Sequence, residues 1–415
     1  MSLSKPRIKR AKAPLPEWTF GVYMVGGPEL GPSISRDLLE LERAGSSPAV
    51  NVVVGQQRRP ASHATWWEIP PRNGTGLAKR KRIGPRSKPA PAAGPPVNGP
   101  RKRSLVDVNL TQFLDMLATE YQAKRYLLML WGHASGLGFG GLKPGSKGDQ
   151  TRLGELRKVL GTLRNRRDGT QKLEILGFCA CAVNKADYAL ELRDEVEYLV
   201  ASQVGISVLM TWPFDEAVKL LLSSPAAETG SVAHQLVQCY EEGYEPPPVA
   251  MTALHLKESE RIGEQIDRLC EAILTGMLER SADMNTLNSL LIAQAFDEAM
   301  DAYPWEVEPL IDLFDLCRKL LQKPLLEEPI RERARAVLDQ GFRSFVVHNA
   351  RSGPKFGALN GLSMLAPDFD DPDWLETCDA YTASSSNTVI ASKTRWAMVT
   401  RKVYEFFRAN PNLFG

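Results

Sequence analysis

The strongest constraint on this chain is the alternation of short apolar runs with helix-like stretches through its first half. Residues 18–25 (WTFGVYMV) are aromatic and β-branched and are closed by Gly26-Gly27-Pro28, which reads as a buried strand ending in a turn. Ile34, Leu38 and Leu41 then recur at helical spacing over 34–44, and AVNVVVG at 49–55 reads as a second strand. The alternation continues with helices expected near 110–122, 151–164 and 183–195, and strands at 126–130 and 173–178 with a short apolar segment at 198–201. Strands joined by helical crossovers run parallel, so the expected class is α/β with a mostly parallel sheet.

The pattern changes twice along the chain. Between 74 and 103, nine cations from Lys79 to Arg103 are interleaved with Pro, Gly and Ala and no acidic residue occurs, so this segment is expected to be a disordered linker. From 226 to 347 the periodicity is helical, and strands are expected again only at 361–366 and 388–391. The expected organisation is therefore a flexible basic N-terminus at 1–16, an α/β core at 17–225 that contains the linker, and a helical region at 226–415 that returns a late strand to the same fold.

Charge and composition remove several function classes. With 51 basic and 49 acidic residues the net charge is +2, so no global attraction to nucleic acid is implied and any basic patch is local to the linker. No apolar run approaches the roughly 20 residues that cross a bilayer, and the basic start lacks the apolar core of a secretion signal. A cytoplasmic protein without membrane partners is expected. Six cysteines in 415 residues are too sparse for a disulfide framework and read as thiols. His63, His234, His255 and His348 lack partners at zinc spacing, so no metal site is expected.

Functional groups of open α/β sheets lie beyond the carboxyl ends of the strands. Two ends carry chemistry: YLLMLW runs into Gly132-His133-Ala134-Ser135-Gly136, and LEILGF runs into Cys179-Ala180-Cys181. If those strands are parallel neighbours, His133 approaches the cysteines, and an imidazole that takes the thiol proton makes a nucleophile at neutral pH. The backbone N–H groups of Ala134 and of the cysteine itself could hold an acyl oxyanion.

The ordered blocks of this chain resemble the clostripain family of cysteine peptidases, within the caspase and gingipain superfamily. The resemblance rests on WTFGVYM at 18–24, DLLEL at 37–41, VNVVVG at 50–55, RYLLMLWGHASG at 125–136, and LGFCACAVNKADYALELRDEVEYLVASQ at 176–203. WPFD at 212–215, DLFDLC at 312–317, LNGLSMLAP at 359–367 and the aromatic segment around Trp396 extend it over roughly 18–408. It implies a caspase-haemoglobinase-like three-layer sandwich and a cysteine endopeptidase acting on protein substrates, with His133 as general base and Cys181 as nucleophile. Cys181 holds the third place of a motif usually written Asp-Ala-Cys. Cys179 replaces its Asp and is the alternative nucleophile. Ala134 replaces a glycine, and Gly132 an acidic or amide residue.

The family cleaves after Arg or Lys, yet two acids expected in the pocket are missing: Cys179 stands for one, and 206–211 (ISVLMT) replaces an acidic stretch. A pocket formed by Cys179 and Met210 favours an apolar or small side chain unless Asp215 reaches in. The resemblance also implies latency relieved by proteolysis. Lys143 and Lys147 lie in the glycine-rich loop between His133 and Cys181, and Arg82 and Arg103 lie in the linker, where an activating protease could cut. The plainest reading of the linker is a solvated tether, ahead of the processing site, and last comes a weak nucleic-acid patch. The chemistry needs no cofactor, and calcium enters only through the resemblance, since no loop has EF-hand ligand spacing. A catalytically inactive scaffold or regulator that binds partners is the alternative function, opposed by retention of His133 and Cys181. A bacterial regulatory or defence cascade would suit such an enzyme.

Overall fold

The computed structural model describes residues 14–58, 64–84, 103–141, 150–243, 249–278, 282–304, 308–353, 355–376, 379 and 389–413. The strands are β1 (Trp18–Gly26), β2 (Val50–Arg58), β3 (Thr65–Ile69), β4 (Lys81–Gly84), β5 (Arg125–Trp131), β6 (Ala134–Ser135), β7 (Gly138–Phe139), β8 (Thr151–Arg152), β9 (Leu173–Cys179) and β10 (Val196–Ser202). The second half adds β11 (Val249–His255), β12 (Leu310–Asp312), β13 (Val346–Ser352) and β14 (Ser363–Leu365). Nine strands form one sheet in the order β13-β11-β10-β9-β5-β1-β2-β3-β4. The central five, β10-β9-β5-β1-β2, are parallel, and the pairs at both edges are antiparallel.

Side chains alternate across the sheet, so each central strand feeds two layers. Trp18, Phe20, Val22 and Met24 of β1 enter one buried cluster, together with residues of helices α1 (Gly31–Ala44), α5 (Phe214–Ser223) and α6 (Thr229–Glu242). Tyr23 and Val25 enter the other, with α2 (Leu105–Glu120), α3 (Leu153–Arg167), α4 (Ala186–Leu192) and α7 (Ser259–Leu278). That second cluster continues through α8 (Ala282–Asp301), α9 (Leu313–Leu321), α10 (Glu328–Gln340), α11 (Val389–Lys393) and α12 (Trp396–Ala409), represented by Phe296, Leu316, Val337, Ile390 and Val403. The result is the three-layer α/β sandwich expected.

Several elements depart from the sequence reading. The linker expected to be disordered over 74–103 begins instead as built structure: Ala78 is buried, Arg80 pairs with Glu42 at 2.7 Å, and 81–84 form edge strand β4 against β3. An edge strand is held by backbone bonds, which a lysine- and arginine-rich segment can make as well as an apolar one. The rest of the linker, 85–102, lies outside the described residues, as do 1–13. The helical region contributes two sheet strands, β11 and β13: the apolar run VAMTALH follows a proline cluster, and α10 ends at Gln340 in a five-residue π-helical turn, Gly341–Phe345, that leads into β13. The strand expected at 361–366 pairs with β12 in a separate ribbon, and 389–393 is helical.

This second half is tied to the sheet by a buried carboxylate. Asp312, 1% exposed, accepts from the N–H groups of Phe314 (3.0 Å), Asp315 (2.9 Å) and Asn360 (2.7 Å) and from the Gln203 amide at 2.9 Å. Burial pushes its carboxyl up, and these donors oppose that shift. Asp312→Ala leaves them unpaired and is expected to cost at least about 3 kcal/mol, read as a lower urea midpoint. A wild-type midpoint would contradict this assignment.

Candidate active site

Parallel pairing sets the site. In register, Met24 of β1 opposes Trp131 of β5, and Trp131 opposes Cys179 of β9. His133 and Cys181 therefore each lie two residues past the same rung on neighbouring strands. The Gly132 N–H donates to the Cys179 carbonyl at 3.1 Å, which carries the ladder one step into the loops.

The His133 loop is a tight three-stranded ribbon, β6-β7-β8, with Ala134 opposite Phe139 and Ser135 opposite Gly138. The Gly140 N–H donates to the His133 carbonyl at 2.8 Å. Phe139 anchors the ribbon by packing edge-on against Phe178 of β9. Gly132 has φ +154°, and a Cβ there would lie 2.5 Å from the Val25 carbonyl oxygen at the end of β1. That contact and the positive φ call for glycine at this position. The His133 ring is mostly buried, and its Nε2 lies 3.4 Å from a Glu29 carboxylate oxygen.

Cys181 is half-buried in the turn after β9. Its sulfur accepts from the Ile206 N–H at 3.4 Å, and the next residue, Ala182, has φ +49°, the left-handed region that non-glycine residues rarely enter. The turn is fixed to the end of β10 by Ala182 N–H to Val204 carbonyl and Asn184 N–H to Ser202 carbonyl, both 3.0 Å. Ala134 and Cys181 line one small pocket of about 30 Å³, room for little more than a water, together with Gln203, Tyr303, Glu308 and Leu310. Glu308 lines it and joins the loops around it: its carboxylate accepts from the Gly136 N–H and from Lys185, whose ammonium also donates to the Gly136 carbonyl at 3.0 Å.

The remaining sequence candidates are placed elsewhere. Cys179 is buried on the α1 face of the sheet beside Trp131 and Trp212, and burial, then Asp37, pushes its thiol well above the ordinary range. A thiol so placed is a poor nucleophile. Met210 presents its carbonyl to the Tyr240 hydroxyl at 3.1 Å, and Asp215 pairs with Lys219 at 3.0 Å in the first turn of α5. None of these three lines the pocket at Cys181. Arg82 lies on β4 and Arg103 precedes α2, whereas Lys143 and Lys147 lie outside the described residues. Among the described residues, no group of three or more His, Cys, Asp or Glu side chains could hold a metal ion, and Cys179, Cys181, Cys239, Cys270 and Cys317 are free thiols.

Sequence reasoning missed the polar frame around the loops. Asp37, fully buried on α1, accepts from Trp131 Nε1 and Thr211 Oγ1, both at 2.8 Å. Arg36 donates to the Val208 carbonyl at 3.1 Å and Ser33 to the same carbonyl at 2.8 Å. Loop 206–211 is thereby pinned beside Cys181 with Val208 and Leu209 turned to solvent. The signal was present in DLLEL at 37–41, where an acid stands on a helix face that is otherwise apolar.

The fold places a histidine and a half-buried thiol beyond adjacent parallel strands at the centre of a three-layer sandwich, which is the caspase-like class of cysteine peptidase. The chain belongs to the clostripain family, whose model matches residues 22–349. It is similar in fold to a secreted C11 cysteine protease of Bacteroides thetaiotaomicron ("iotapain"), at TM-score 0.63 and 15% identity over 92% of this chain and 100% of the other. It is also similar to an inactive zymogen C11 protease of Parabacteroides distasonis, at TM-score 0.60 and 15% identity over 89% and 97%. No curated protein matches it in sequence.

Two outcomes follow from the frame. Gly132→Ala forces a Cβ onto the Val25 carbonyl and is expected to cost roughly 1–3 kcal/mol in urea unfolding; an unchanged midpoint would show that β1 and the His133 loop do not touch. Burial and then neighbouring Asp37 push the Glu40 carboxyl from 4.5 up to about 7, although it accepts from the Phe214 N–H at 3.0 Å. Because the folded value is raised, its contribution to stability is fully present below about pH 4.5 and is lost as pH rises through 7. Glu40→Gln should therefore melt higher than wild type near pH 8 and together with it near pH 4; equal midpoints at both would contradict the shift.

Proposed function

We propose that this cysteine endopeptidase uses Cys181 as nucleophile and His133 as general base and acid. The observation that carries the reading is the rung Trp131–Cys179, which sets both residues two steps beyond adjacent strand ends, with Ala134 and Cys181 lining one pocket. His133 takes the Cys181 proton, and the thiolate adds to the peptide carbonyl while backbone N–H groups at Ala134 and Cys181 receive the oxyanion. The C–N bond breaks as His133 gives its proton to the leaving amine. Water then adds to the thioester with His133 as base, releasing the carboxylate and restoring the thiol.

The Glu308 bridge supports a latent state: it ties the His133 loop to the Cys181 turn beside a pocket of only about 30 Å³. Cleavage in the glycine-rich segment that carries Lys143 and Lys147 is the proposed release, performed by the enzyme itself or by an activating protease. The residue preferred before the cut is apolar or small: Cys179 is buried, Asp215 and Glu308 are committed to lysines, and the exposed part of loop 206–211 is the uncharged run Ser207, Val208 and Leu209.

A mixed peptide library read by mass spectrometry tests both points. Wild type is expected to cut after apolar or small residues, while Cys181→Ala and His133→Ala lose at least about 1,000-fold in rate. Cutting by Cys181→Ala would overturn the site, and cutting only after Arg or Lys would overturn the specificity.

A further inference from the structure

From the geometry we infer that Glu29 is a positioning residue that holds the His133 ring from the side opposite Cys181, so that three adjacent strand ends, β1, β5 and β9, contribute Glu, His and Cys in turn. The inference rests on His133 being the base. The observation behind it is a buried ring nitrogen: His133 Nε2 is sealed from solvent and no hydrogen bond of good geometry closes on it, yet the Glu29 carboxylate lies 3.4 Å away. A polar atom buried without a partner is costly, and catalytic hydrogen bonds are often loose in the free enzyme and tighten around substrate. A small rotation of the Glu29 carboxylate satisfies the nitrogen and leaves Nδ1 as the one for proton transfer.

The backbone around Glu29 is shaped for that placement. β1 ends at Gly26, against which Leu30 packs, and the Leu30 N–H donates to the Gly27 carbonyl at 3.2 Å, giving a single tight turn with Glu29 inside it. The carboxylate folds back into the space that a side chain on residue 27 would fill: a Cβ on Gly27 would meet Glu29 Oε2 at 2.3 Å and Oε1 at 2.8 Å. Gly27 has φ −78°, which any residue adopts, so the glycine answers to the carboxylate rather than to backbone strain. On the other side, Gly132 abuts the Val25 carbonyl and fixes how closely the His133 loop approaches that turn. Two glycines, each one residue past the end of a strand, thus bring one carboxylate to one imidazole, the orientation that a Cys–His pair gains from a third group.

The test uses the full chain and measures the rate at which iodoacetamide alkylates Cys181 near pH 7, by peptide mapping, beside kcat and KM on a peptide that the wild type cleaves. The Glu29 side chain is 46% exposed, so its substitution is expected to leave the thermal midpoint nearly unchanged. Glu29→Ala and Gly27→Ala should each slow alkylation and lower kcat about 10- to 100-fold with KM nearly constant, as loss of orientation does. Glu29→Gln, which keeps an acceptor oxygen, should recover part of the loss. Wild-type rates in both Glu29→Ala and Gly27→Ala, with His133→Ala inert, would overturn the role of Glu29 and leave the dyad standing. A raised KM at constant kcat would also overturn it, by making Glu29 a substrate contact. If His133→Ala is alkylated and cleaves like wild type, the dyad itself fails and the inference with it.

Discussion

The parallel ladder joining β1, β5 and β9 is the constraint on which the rest depends. Backbone bonding fixes Met24, Trp131 and Cys179 on one rung, and the proposed site lies within a few residues beyond it. Side-chain alternation then sends Cys179 into the α1 layer, while the chain must travel two more residues and pass through a left-handed Ala182 before Cys181 meets the cleft. Burial thus separates two cysteines that are chemically identical in the sequence. The thiol held in the apolar layer is disfavoured as an anion, and the thiol at the turn is offered a backbone N–H from Ile206.

Around that rung the protein spends its buried polar groups on loops rather than on the core. Asp37 ties Trp131 of β5 to Thr211 of the loop beside Cys181, and Asp312 gathers Gln203, Asn360 and the start of α9. Both carboxylates are raised by burial and held by several donors, so each is costly to place and costly to leave unpaired. Their common effect is to make the segments flanking Cys181 rigid extensions of strands. Glu308 differs in kind: it lies at the pocket mouth and joins two loops through one carboxylate, an arrangement that an altered loop could release.

Much of this was legible in the sequence, and what was not has physical reasons. The central strands and the helices between them followed from apolar runs and helical spacing, because parallel strands buried on both faces read as continuous apolar segments. β4 escaped because an edge strand needs only its backbone, so KRIG within a basic stretch carries no apolar signature. β11 and β13 escaped because their neighbours are long helices whose periodicity dominates the reading. His133 and Cys181 could be proposed from strand ends, whereas the choice between Cys179 and Cys181 came from resemblance, and the burial of Cys179 supports it. Glu29 and Glu308 were invisible, since each acts through a contact with a residue more than 100 positions away.

The central claim is that Cys181, alone among the five described thiols, is the nucleophile. Its most direct measurement is peptide mapping after reaction with an irreversible acyloxymethyl ketone that carries an apolar residue before the reactive carbon, on protein shown to cleave peptides. The account predicts one thioether, on Cys181, and none when His133 is replaced by alanine. An adduct on Cys179, or full activity with Cys181 unmodified, would contradict it.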